Sequence, residues 1–166
     1  ARWIARCASS FDRDFADVRS VIIGHAQDEH RDYEILEKDY VNCGGDLQTI
    51  RAQPRNAGSE ALHGFLMYRA SQTNPVDLLG AMWIIEGLGN KMANEWAGRI
   101  EACVGGFENC TTFLRYHGEN DESHMDKLDG LLDRLCVDQQ VGGRIVRTAR
   151  VVARLYALQL EEIEGV

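Results

Sequence analysis

Proline is almost absent from this chain, and this scarcity constrains the fold more than any other feature of the sequence. Only Pro54 and Pro75 occur among 166 residues, and both lie where the apolar periodicity breaks. Because proline interrupts helices, the remainder of the chain is free to be helical. Alternating polar and apolar runs, which are typical of strands, are absent. The sequence therefore predicts an all-α helical bundle that forms one domain over residues 1–166.

Apolar residues recur every three or four positions in five segments, and each segment predicts a helix. The predicted helices span residues 11–40, 59–71, 74–104, 109–135 and 138–163, with a loop at residues 46–58. Residues 1–4 already resemble the interior of a helix. This favours a fragment of a longer chain or a bundle that lacks upstream helices.

Charge and composition exclude several classes of function. The net charge is −8 and the basic residues are scattered, so we expect no nucleic-acid partner. No apolar stretch is long enough to span a membrane, and the N-terminus lacks a signal peptide, so we expect a soluble, cytoplasmic protein. The five cysteines form no CxxC pair. They are expected to be reduced thiols, although a thiol of lowered pKa could still act as a nucleophile.

Two short segments carry ionisable residues at positions i, i+4 and i+7, a spacing that places three side chains on one stripe of a helix. The two sets are His25, Glu29 and Asp32, and then His117, Asp121 and His124. Apolar residues continue both stripes: Val21 and Ile22 precede the first set, and Leu128 follows the second. Both sets are therefore predicted to point inward.

Glu86 is the only charged residue in the apolar run from Met82 to Gly89. Buried charges need partners, so these side chains form either a hydrogen-bonded His–Asp network or a metal site. Hard carboxylates with a few imidazoles suit non-haem iron or manganese, and four carboxylates balance the charge of two divalent ions. The predicted metal ligands are His25, Glu29, Asp32, Glu86, His117, Asp121 and His124.

Three segments resemble the haem-oxygenase-like iron-containing redox enzymes, also called haem-oxygenase-like di-iron oxidases and oxygenases. They are HAQDEHRD from His25, IIEGLG around Glu86, and HGENDESH from His117, which matches the family's H-x3-D-x2-H signature. One departure is that the family usually has histidine where this chain has Asp32. The resemblance implies a haem-oxygenase-like bundle, with upstream helices of the family largely missing from this chain.

The resemblance also implies an activity. It is the reductive activation of O2 at two non-haem irons, the second labile, to oxidise a small organic substrate such as an amino acid, an amine or a fatty acid. Manganese is the alternative metal. Glu86 and His117 would be essential for catalysis, and a homodimer is expected.

Three alternatives remain open at this stage. One is a thiaminase-like or cofactor-free enzyme of the same fold, with a cysteine nucleophile in one variant. The second is a haem-binding protein that uses His25, although the nearby carboxylates would crowd an apolar cofactor. The third is a non-catalytic helical accessory domain with a degenerate metal site, which Asp32 favours.

Overall fold

A computed structural model describes residues 1–105 and 108–163, apart from the side chains at positions 120–123. In these ranges the chain forms helices without any strand, which confirms the all-α prediction. None of the described helices is both long and apolar enough to cross a bilayer. The α-helices are α1 Arg2–Ser9, α2 Ala16–Glu29, α3 Tyr33–Asn42, α4 Leu47–Ala52, α5 Ala57–Ala70, α6 Leu79–Cys103, α7 Thr112–Leu135 and α8 Gln139–Glu161.

The long helix α6 is the centre of the bundle, packing against α7 on one side and α8 on the other. Glycine allows close approach at both contacts. A Cβ atom on Gly80 would collide with the carbonyl oxygen of Ile145 in α8, and one on Gly118 would collide with the side chain of Asn94. Because Gly118 follows His117 directly, this contact sets how closely a candidate ligand of α7 approaches α6.

The inward face of α6 explains why a glutamate lies inside an apolar core. Leu79, Met82, Glu86, Ala93 and Ala97 are all buried, at spacings of three, four and seven residues. Met82 is completely buried one turn before Glu86. Burying each large apolar side chain contributes roughly 1.5–3 kcal/mol, so this face fixes the rotation of α6 and carries Glu86 inward with it.

The prediction of one continuous helix over residues 11–40 is wrong, because the structure divides this segment into shorter helices. A short 3-10 turn, Arg13–Phe15, leads into α2, which ends at Glu29, and α3 begins at Tyr33. The amide of Asp32 donates to the carbonyl of Glu29 across 3.4 Å, a tight turn instead of a continued helix. Asp32 therefore does not share a helical stripe with His25, and it reaches the interior from the turn between two helices.

Two further boundaries differ from prediction. The predicted loop at 46–58 contains α4, whose N-terminus is capped by Asp46: its carboxylate accepts from the amide of Thr49 at 2.7 Å. Pro75 was expected in the first turn of α6, but the 3-10 turn Val76–Leu78 intervenes and α6 begins at Leu79. Asn74 adopts a positive φ of 48° there, which turns the chain before the helix starts.

Candidate metal centre

Three helices bring four potential ligands together in the bundle interior. His25 and Glu29 come from α2, Glu86 from α6 and His124 from α7, and one ligand atom of each lies within 4.8 Å of the others. His25 Nε2 is 3.2 Å from Glu86 Oε1, and His124 Nδ1 is 3.2 Å from Glu86 Oε2. Glu86 thus lies between two imidazoles. We call this group the first cluster.

A second group of ligand atoms lies next to the first and shares one residue with it. Glu29, Asp32 and His117 also have ligand atoms within 4.8 Å of one another, and His117 Nε2 is 3.5 Å from Asp32 Oδ2. We call this group the second cluster. Since Glu29 belongs to both groups, its carboxylate lies where one residue could serve two ions.

Two polar atoms of these clusters are buried without the hydrogen bonds that burial normally requires. His25 is 6% exposed and Glu86 4%. Neither His25 Nε2 nor Asp32 Oδ2 makes a hydrogen bond within the described part of the chain, although each has an oppositely polarised neighbour in the clusters. A buried polar atom without a partner costs about 1–3 kcal/mol, and a cation held between these atoms would satisfy them.

The two glutamates titrate in opposite directions. Burial alone would raise the pKa of Glu86, but the hydrogen bond from His124 and the neighbouring His25 lower it to about 2. The pKa of Glu29 is raised, first by burial and then by the negative charge of Glu86. The metal-free interior therefore holds Glu86 firmly as an anion and disfavours a second negative charge on Glu29, a repulsion that a bound cation would remove.

Most of the predicted ligands meet in this site. His25, Glu29, Asp32, Glu86, His117 and His124 all belong to one or both clusters. Asp121 lies in α7, but its side chain falls outside the described residues. Trp83, also on α6, is 37% exposed and donates to Asp129 at 3.0 Å, so it lies on the outer side of this helix. Met82, by contrast, is completely buried on the same face as Glu86.

Asp28 is an acidic neighbour of His124 that the sequence prediction did not include. Its Oδ2 lies 3.4 Å from His124 Nε2, while the opposite ring nitrogen of His124 faces Glu29 and Glu86. A carboxylate on the far nitrogen of a ligating histidine fixes the ring and its tautomer. Asp28 precedes Glu29 and is half exposed, and only the approach of α7 to α2 brings it to His124. We therefore assign it a positioning role.

Replacing Asp28 with asparagine should weaken metal binding at the first cluster by about 10- to 100-fold, the usual effect of losing such a partner. Metal affinity can be measured by calorimetric titration with Fe(II) under anaerobic conditions. Asp126→Asn is the matched control, because Asp126 is exposed on α7. Equal affinities of the two variants would contradict the role assigned to Asp28.

The alternatives based on a cysteine or on haem find no support in the geometry. Within the described residues, no cysteine belongs to either cluster or lines the cavity beside them. Burial raises the pKa of Cys7 to about 12, which makes it a poor nucleophile. His25 Nε2 faces a carboxylate at 3.2 Å, where a haem ligand would need an open apolar slot.

A helical bundle that gathers carboxylates and imidazoles at one buried point is a common way of building a metal site. The comparisons with known proteins agree. The sequence profile of a family described as "Iron-containing redox enzyme" matches residues 2–157. The chain belongs to this family of iron-containing redox enzymes, so its activity is of the oxidoreductase class.

A solved structure has the same fold. It is a domain of unknown function with a heme oxygenase-like fold from Shewanella denitrificans, which matches with a TM-score of 0.90 and 18% sequence identity. The match covers 99% of this chain and 70% of that one. The predicted haem-oxygenase-like bundle is thereby confirmed. No curated protein matches the sequence significantly.

Proposed function

We propose that this protein binds two non-haem irons and uses them to activate O2 for the oxidation of a small organic substrate. The observation that carries the proposal is the position of Glu29 in both clusters. A single carboxylate shared by two sets of ligands is the arrangement expected for a pair of ions, because each of its two oxygens can face one of them. Membership of an iron-containing redox family supports iron as the metal.

The donor set fits iron. Three carboxylates and three imidazoles line the clusters in the described part of the chain, and no thiolate is among them, as hard divalent or trivalent iron prefers. Manganese has similar preferences and is the second candidate metal. When bound, iron would supply the one-electron chemistry that these side chains lack. Asp121 would be a further ligand, because it is the aspartate of the family signature H-x3-D-x2-H.

The predicted ligands would be shared between the two ions. His25, Glu86 and His124 would hold one ion, Asp32 and His117 the other, and Glu29 would be a ligand available to both. Glu86 is held as an anion by its imidazole neighbours and needs no proton release before binding a cation. Burial of Met82, His25 and Glu86 keeps bulk water from the first cluster, which strengthens the electrostatic contacts between these ligands and a bound ion.

The experiment is to load the protein anaerobically with Fe(II), count the iron per chain, and then mix it with O2 while recording O2 consumption and absorbance. Two irons per chain and rapid O2 consumption are expected. Failure to bind iron would contradict the proposal, and so would full retention of iron in Glu86→Ala and His117→Ala. Bound metal without any reaction with O2 would instead favour a non-catalytic accessory domain.

Asp32 offers a separate prediction about the second cluster. It occupies the position where the family usually has histidine, and the turn at 30–32 already places its carboxylate 3.5 Å from His117. Asp32→His should supply a longer and neutral donor, as the family usually has at this position, and should tighten Fe(II) binding at the second cluster about tenfold. The measurement is iron per chain after gel filtration at a fixed low Fe(II) concentration. Glu34→His, on the exposed side of α3, should leave the stoichiometry unchanged, and an unchanged value for Asp32→His would contradict the prediction.

A further inference from the structure

Two cysteine side chains from distant parts of the sequence meet where the end of α3 contacts the start of α7. Cys43 directly follows the last residue of α3, and Cys110 lies two residues before the first residue of α7. Both are thiols in the structure, and their side chains are hydrogen-bonded to each other. We call these two residues the thiol pair. The pair lies outside both metal clusters and has no part in the proposed function.

Two further hydrogen bonds hold the backbone in place on either side of the thiol pair. The side-chain amide of Asn42 donates to the carbonyl oxygen of Asn109 at 2.8 Å, and these residues directly precede the two cysteines. The backbone amide of Phe113 donates to the carboxylate of Asp39 at 2.7 Å, which ties the first turn of α7 to α3. The contact between the thiols therefore follows from the packing of α3 against α7 and does not depend on the two side chains alone.

The thiol pair has a route to solvent. Cys110 is 9% exposed, but it forms part of the wall of a cavity of about 530 Å³ between the end of α6 and the start of α7. Two charged residues of the same wall, Glu101 and Arg115, form an ion pair at 2.8 Å. Cys43 is half-buried. A small uncharged oxidant such as hydrogen peroxide can therefore reach the sulfur atoms.

The surroundings of the pair determine how it reacts. The pKa of Cys43 is raised first by burial, then by its hydrogen bond with Cys110, and further by the charge of Asp39. The Cys43 thiol therefore keeps its proton near neutral pH, and because the thiolate is the nucleophile, oxidation begins slowly. Once one sulfur is oxidised, the other already lies beside it, so the closing step is intramolecular and strongly favoured. Such a pair responds to sustained oxidation and not to a brief exposure.

We propose that the thiol pair is a reversible modification site, at which hydrogen peroxide converts Cys43 and Cys110 into a disulfide that ties the end of α3 to the start of α7. In the first step one thiolate attacks peroxide, the O–O bond breaks, and a sulfenic acid and hydroxide form. In the second step the other thiol attacks the sulfenic sulfur, the S–S bond forms, and water leaves. Two thiols lose two electrons in total, and one peroxide takes up their protons and becomes two waters. A thiol reductant reverses the reaction.

The disulfide would join the two chain segments that carry the second cluster. Asp32 lies directly before α3, and His117 lies in the second turn of α7. A covalent bond at the thiol pair therefore limits how far α3 and α7 can separate. The amide of Phe113 reports on this contact, because it is bonded to Asp39 of α3 while its ring lies 4.4 Å from the ring of His117. Formation of the disulfide requires no bound metal.

The experiment uses metal-free protein with Cys103→Ser and Cys136→Ser, because these two exposed thiols would also react with peroxide. Three cysteines then remain, and Cys7 is protected by its burial in the core. After treatment with peroxide, the thiol count of the unfolded protein should fall from three to one, and peptide mass spectrometry should find Cys43 joined to Cys110. Dithiothreitol should restore all three thiols. An unchanged count, a loss that dithiothreitol does not restore, or a disulfide between two chains would overturn the proposal.

The effect on the fold is measured on the same protein after peroxide has been removed. Oxidation should raise the melting temperature by about 5–10 °C, because the bond closes a long loop, and should slow hydrogen exchange of the Phe113 amide at least about tenfold. Cys43→Ser in the same background is the control, and peroxide should change neither of its values. A disulfide that forms without either change would show that it does not tie α3 to α7, and the proposal would be wrong. Because the protein is metal-free, these results do not depend on whether it binds iron.

Discussion

Replacing Glu86 with glutamine is expected to abolish metal binding at the first cluster and to destabilise the metal-free protein by about 1–3 kcal/mol. Glu86 contacts His25 and His124 at 3.2 Å each and is 4% exposed. Glutamine keeps the shape but loses the charge, so His124 loses a charge-assisted hydrogen bond and His25 loses the negative charge that faces it at 3.2 Å. A lost ligand should lower Fe(II) affinity by more than the roughly 100-fold seen for an outer partner.

The pH dependence of this effect has a defined sign. The pKa of Glu86 is about 2 in the folded protein, against an ordinary value of 4.5. Its stabilising contribution is therefore fully present above about pH 4.5 and is lost as the pH falls toward 2. In urea unfolding of metal-free protein, the difference in stability between wild type and Glu86→Gln should be present at neutral pH and shrink in that acidic window.

The control is Glu95→Gln on the same helix. Glu95 forms a surface pair with Arg99 at 2.6 Å and is half exposed, so its loss should change the free energy of unfolding by less than about 1 kcal/mol. Metal affinity should not change. Equal destabilisation of Glu86→Gln and Glu95→Gln at pH 7 would contradict the role assigned to Glu86.

Much of the fold follows from local features of the sequence. The scarcity of proline and the apolar periodicity predicted the long helices, and the structure places α6, α7 and α8 within those ranges. The helix α4 was missed, although Asp46 followed by Thr49 is a capping signal that could have predicted it. The break at residues 30–32 had no such signal, because neither glycine nor proline marks it.

The site was predictable where one helix face determines it. Glu86 lies inward because Met82 and Ala93 do, and this spacing is visible in the sequence. The role of Asp28 was not predictable, because it depends on how α7 approaches α2 and not on either helix alone. The sequence also could not predict that Glu29 belongs to both clusters, because this too depends on how the helices approach one another. Sequence periodicity shows which face of a helix is buried, but not which residue of another helix it meets.

Replacing Glu29 with glutamine should have two effects of opposite sign. Iron binding should fall from two ions per chain to one or none, because both clusters lose a carboxylate, and reactivity with O2 should disappear. The metal-free protein should become more stable at neutral pH. The pKa of Glu29 is raised by burial and by the negative charge of Glu86, so the ionised Glu29 side chain destabilises the folded state. Glutamine removes that charge and keeps the volume.

The sign of this change in stability follows from the linkage between protonation and folding. Because the folded pKa of Glu29 lies above its ordinary value of 4.5, ionising it destabilises the fold as the pH rises through the folded pKa. The gain from Glu29→Gln should thus appear in melting curves of metal-free protein at pH 7 and vanish below about pH 4.5, whereas Glu86→Gln loses stability at pH 7.

Glu34→Gln, which only breaks a surface pair with Arg31, should alter neither the iron count nor the pH profile of stability. A residue with a purely structural role would destabilise the protein when replaced. A metal-free Glu29→Gln protein that melts below wild type at pH 7, while still binding two irons, would show that Glu29 stabilises the bundle and does not join two ions.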